Sequence, residues 1–205
     1  MLVLEPVIDA ADATGFTLWP VTARAGRSLI RVSAGMSPLD VGTVIAALHP
    51  RGSDASAARL HDAVAVLRAI IEADCLIAAG GLLARDTLTG VAIPPSCCCG
   101  LESWREWTAV PHGGQPWLGH SPAPWVEHLG NAVRIWPDGG LGEAPPPIER
   151  AITAPLDVFA AQLHTTHQDL LGFLDAATQW AHDFAPGMAG DLAAKLDDSF
   201  AITER

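Results

Sequence analysis

The chain has 205 residues, 49% of them hydrophobic, with twelve Lys and Arg against 23 Asp and Glu and a net charge of −11. That apolar content excludes a disordered polymer, and so few cations exclude the clustered positive charge that binding to a nucleic-acid backbone requires. No apolar run reaches the ~18 residues of a membrane span, and Met1-Leu2-Val3-Leu4-Glu5 lacks the basic start of a secretion signal, so the expectation is a single-domain cytoplasmic protein.

In chain order, Leu2–Leu4, Phe16–Val21 and Ser28–Val32 are short β-prone runs separated by turn-like Asp12–Gly15 and Arg24–Arg27, which predicts an antiparallel meander. Ser37-Pro38-Leu39-Asp40 opens a helix: a hydroxyl to cap it, a proline where no N–H is needed, and a carboxylate at the positive end of the dipole. A longer helix follows to about Asp74, capped by Ser53 or Asp54, with Leu60, Val64, Leu67 and Ile71 at helical spacing. Leu82–Asp86 and Gly90–Ile93 bracket a Thr-Leu-Thr-Gly turn and predict a hairpin. Ala132–Trp136 is one more strand, and residues 137–147 form a loop or linker rich in Gly and Pro. Leu156, Phe159, Leu163, Leu170, Leu174, Ala177 and Trp180 stripe a long helix, and a last helix runs from about Met188 to Phe200 after the Pro186-Gly187 break. The fold class is α+β: a mainly antiparallel sheet built from the N-terminal strands, the hairpin and the strand at Val133, covered by helices.

The unusual stretch lies between Pro94 and Pro137, which gathers three of the four cysteines, five of the seven tryptophans and three of the eight histidines. Cys97 and Cys99 alternate, so an extended backbone would point both thiolates one way, with His112, His120 or His128, or Cys75, completing a zinc site. The spacing departs from the two to four intervening residues usual for a zinc pair, and free cysteines packed as small apolar groups are the competing reading. Cys99 also stands just before a helix expected near Leu101, where the dipole would favour a thiolate with a histidine as base. His164 and His167, one helical turn apart, are read as an ordinary wet face.

The tryptophans carry a second argument. Trp104 and Trp107 share a helix face, while Trp117, Trp125 and Trp136 are spread over loop and strand. Five indoles in one region build a local core under long loops or present a contact surface. With Glu102, Glu106 and Glu127 among them, exposed rings would make an acidic, aromatic patch suited to a basic protein partner.

The run Pro95-Ser96-Cys97-Cys98-Cys99-Gly100-Leu101-Glu102-Ser103-Trp104-Arg105-Glu106-Trp107, continued by Pro116–Glu127, resembles a motif of a family of uncharacterised bacterial proteins of similar size. Asp169–Leu174 and Trp180 extend the resemblance into the C-terminal helices. The resemblance implies no catalytic residue. In size, charge and fold class the chain is similar to immunity proteins that neutralise secreted bacterial toxins. The expectation is therefore an acidic binding protein contacting its partner through Glu102, Trp104, Glu106, Trp107, Trp117, Trp125 and Glu127. The alternative is a metal- or thiol-dependent enzyme or sensor using Cys97–Cys99 and nearby histidines.

Overall fold

A computed structural model of the protein describes residues 1–22, 29–49, 62–96, 99–119, 124–138 and 147–203. The chain divides into two compact units, Met1–Val7 with Ala79–Asp169 and Ile8–Ala78 with Leu170–Arg205. The fold is α+β.

In the first unit β1 (Leu2–Asp9) lies beside β3 (Gly80–Asp86), which pairs antiparallel with β4 (Ala92–Ile93) in the register Ala84 to Ile93. The hairpin falls where the sequence predicts it. Its turn is closed by the Asp86 carboxylate, which accepts from Leu88 N–H at 3.0 Å and Thr89 Oγ1 at 2.9 Å, and Gly90 takes the left-handed φ of 77° that the turn needs. β3 is buried from Gly80 to Ala84 because it packs beside both a long 3-10 helix, Leu101–His112, and β7 (Ile152–Pro155).

The strand at Val133 is not part of that sheet, contrary to the expectation of one sheet. β6 (Ala132–Trp136) sits between β5 (Trp125–His128) and β7 in a second, antiparallel sheet. The reason is local: the Gly130 turn, with Leu129 N–H on Ala132 O at 2.8 Å, folds β6 directly back onto β5. The period of two then sorts the faces. Val126, Val133, Ile135, Ile152 and Ala154 are buried on one side, and Trp125, Glu127, Arg134 and Thr153 take the other. The first half of α3 (Leu156–Phe184) completes the unit, with Thr166 Oγ1 donating to Leu4 O at 3.0 Å in the core.

The second unit is helical apart from the end of β1 and β2 (Leu29–Arg31), which is β1's other neighbour. α1 (Pro38–Ala47) begins as read, with Ser37 Oγ accepting from Asp40 N–H at 3.1 Å. α2 (Ala63–Glu72) is capped by Asp62 on Val64 N–H, whereas the expected caps Ser53 and Asp54 lie outside the described residues. At its other end the Lys195 ammonium of α4 (Ala189–Phe200) donates to Ala73 O, placing a cation at the negative end of the helix. Phe16–Val21 is not a strand. Trp19 is buried instead, its Nε1–H on Gly42 O at 2.7 Å and its ring 5.3 Å from Trp180, so the aromatic run serves packing onto helices rather than a ladder.

Candidate functional site

The 3-10 helix orders the central stretch. A strict three-residue period sends Leu101, Trp104, Trp107 and Val110 into the core, none more than 3% exposed. Trp104 stacks on the His167 imidazole of α3 with centroids 5.4 Å apart, and the Arg105 guanidinium lies 4.3 Å over its ring. Trp107 stacks on Phe159 at 6.1 Å. Neither indole is available to a partner, so these two members of the expected contact surface belong to the core.

Glu102 and Glu106 are exposed on the two remaining rows of the helix. The Glu102 carboxylate folds back over Gly100, close enough that a Cβ there would overlap its oxygens, and this sets negative charge at the helix N-terminus. Gly113, with φ of 82°, ends the helix and turns the chain along β5, where Gln115 Nε2 donates to Val126 O at 2.7 Å and His128 Nε2 donates to Gly114 O at 3.1 Å. The chain then presents Trp117, 54% exposed, between buried Pro116 and Leu118.

Glu127 is committed within the sheet. Its carboxylate accepts from Arg134 Nη1 and from Trp136 Nε1, each at 3.0 Å, while Arg134 Nε donates to Thr153 Oγ1. Trp125 is half-buried, stacked on Trp136 at 6.0 Å, and donates to Asp138 O. The expected patch therefore separates into an internal Trp-Arg-Glu layer on the sheet and an exposed set of Glu102, Glu106 and Trp117. Arg134 and Thr153, which tie that layer together, were legible only through the β5–β6–β7 register.

Of the expected metal ligands, Cys97 and His120 lie outside the described residues. Cys99 is buried, 6% exposed, where its sulfur accepts from Ser96 Oγ at 3.5 Å and lines a narrow apolar cleft with Leu82, Ile93, Trp107 and Leu118. His112 is exposed at the far end of the 3-10 helix and Cys75 is exposed ahead of β3. Among the described residues no three His, Cys, Asp or Glu side chains are grouped to hold a metal ion, and no helix is long and apolar enough to cross a membrane.

No protein-family model, curated protein or solved structure matches this chain.

Proposed function

We propose that the protein is an acidic binding protein of the immunity type, which neutralises a basic bacterial toxin or effector by covering it with the carboxylates of its first unit. The observation that carries this reading is the pairing of charge with rigidity. The first unit holds ten acidic side chains and four basic ones. Two of those four are bound within the unit, Arg85 to Glu5 and Arg134 to Glu127, and Arg105 lies on Trp104. Glu102 and Glu106 project from a helix whose other face is locked into the core by Trp104 and Trp107, so a cationic partner meets charge already in position.

The test is a binding measurement against a basic effector of the native host, comparing wild type with Glu102→Lys and Glu106→Lys. Each reversal lowers affinity about tenfold, mostly through the association rate, and the loss shrinks as salt rises. Unchanged affinity at both positions would move the interface elsewhere.

A further inference from the structure

We propose that the second unit carries a small-molecule site: a preformed cavity beside the Ala10–Ala13 turn that takes a neutral, planar aromatic of about two fused rings with a hydrogen-bonding edge. The cavity measures about 330 Å³ and lies between that turn and the segment that follows it. Protein interiors are normally close-packed, and pockets that hold small ligands begin at ~300 Å³. The cleft at Cys99, by contrast, has about 10 Å³, room for one water at most. The space exists because small residues build its wall. Ala10 and Ala13 are buried, and Gly15, at a φ of 80°, brings no side chain where a Cβ would meet nothing within 4 Å.

Both sides of the cavity are held. On one, Asp9 Oδ1 accepts from Ala11 N–H, and the N–H groups of Thr14 and Phe16 donate to Ala11 O and Ala13 O, each at 3.1 Å. On the other, Thr22 N–H donates to Thr43 Oγ1 at 2.7 Å and Thr22 Oγ1 donates to Asp40 Oδ1 at 3.1 Å, which ties the segment to α1. A ligand therefore orders little on entering. The lining selects its chemistry. Phe16, its ring 4.3 Å from that of Trp19, is the aromatic member of the wall and favours a flat ring. The volume is about twice the ~150 Å³ that admits a benzene, hence two rings. Among the described residues no charged side chain lines the cavity, so nothing would pair a charge brought into it. Asp9, Asp12 and Asp40 close by count further against an anion. The Thr22 hydroxyl is engaged with Asp40, whereas among the described residues the exposed Thr14 hydroxyl has no partner and can meet the ligand's edge.

The experiment titrates indole into the full chain and follows amide chemical shifts, with N-methylindole and indole-3-carboxylate for comparison. The expected result is one saturable site with a dissociation constant of about 0.5 mM, ordinary for a ligand of this size. The largest shifts fall at Ala13, Thr14, Gly15 and Thr22, N-methylindole binds several-fold more weakly, and the carboxylate at least tenfold more weakly. Thr14→Val keeps the shape of an exposed side chain and removes its hydroxyl, so it abolishes the preference for indole over N-methylindole. Ala13→Leu fills the cavity and weakens both neutral probes at least tenfold. Because a leucine at this buried position can disturb the turn, the wild-type shift map is the second reading. Shifts centred on other residues, no saturation at millimolar indole, or a carboxylate that binds as tightly as indole would each overturn the site. So would an Ala13→Leu chain that melts and binds like wild type, or an indole preference that survives Thr14→Val.

Discussion

Gly119 lies so close to Ser96 that a Cβ on the glycine would overlap the serine hydroxyl and come within 3.0 Å of Cys99 Sγ. Its φ of 93° adds a conformation that L side chains avoid at a cost of ~1–2 kcal/mol. Gly119→Ala is therefore expected to lose about 3 kcal/mol of stability, strain and overpacking together. Gly130→Ala has a similar φ of 70° but open space around it, and should cost only about 1 kcal/mol. Chemical denaturation of the two variants separates the terms, and adding Ser96→Ala to Gly119→Ala should restore more than half of the difference. Equal losses at the two glycines would show that the loop yields freely.

The Glu127 carboxylate is shared by a cation and an indole, and the two partners differ in what they lose without it. Arg134 keeps Thr153 and water, with 21% of its side chain exposed. Trp136 is 6% exposed, and its Nε1–H would be left without that acceptor. Glu127→Ala should cost about 2 kcal/mol, and Arg134→Ala about 1 kcal/mol or less, as for a partly exposed pair. A double-mutant cycle by urea denaturation should give a coupling that falls in high salt, while the larger share of the Glu127→Ala loss persists. A loss that vanishes with salt would assign the residue to the ion pair alone.

How much of this was readable from the residues depends on whether a period or a partner decides the outcome. The Ser37 cap of α1, the apolar stripe of α3, the extent of α4 after the Pro186-Gly187 break and the Asp86–Gly90 turn are local chemistry, and they stand where the sequence puts them. The second sheet was missed because β5 and β7 are four residues each and gain their meaning only from the register with β6. Trp104 and Trp107 carried a signal that pointed two ways. Three-residue spacing marks a shared face on either kind of helix, but its continuation to Leu101 and Val110 is the 3-10 period and marks that face as core. The commitment of Glu127 to Trp136 and Arg134 was hidden for a different reason, since cross-strand neighbours are set by strand pairing and not by spacing along the chain.

Gly172 lies inside α3, where alanine would ordinarily gain about 1 kcal/mol from helix propensity. Here the backbone of the second unit stands in the way. A Cβ at 172 would meet Ala34 Cβ at 2.5 Å, Ala34 N at 2.8 Å and Ala34 Cα at 2.9 Å, and a backbone cannot step aside as a side-chain tip does. Gly172→Ala should be net destabilising by about 2 kcal/mol despite its propensity. Gly190→Ala in α4, with nothing in reach, should be neutral or stabilising. Thermal melts of the pair read the difference directly, and a gain at both positions would mean that the 33–35 turn moves away from α3 at little cost.

Asp86 makes the pH dependence specific. Its carboxylate accepts a hydrogen bond from the Met1 ammonium, then from Leu88 N–H and Thr89 Oγ1, and these hold its pKa at about 2, below the ordinary 3.8. A carboxyl whose pKa is lower in the folded chain than in the unfolded one stabilises the fold above the unfolded value, and that contribution is lost as pH falls through the folded one. Asp86→Asn should therefore melt below wild type at neutral pH, and the gap should close progressively between about pH 4 and pH 2. Melting temperatures of both proteins, made with a free amino terminus, are to be compared across that range. N-terminal acetylation should reproduce part of the Asp86→Asn loss, because it removes the charge that Met1 brings to the turn while Leu88 and Thr89 remain. A gap that stays constant down to pH 2 would mean that Asp86 acts in the turn as a neutral acceptor, and its charge would then have no part in the stability of the hairpin.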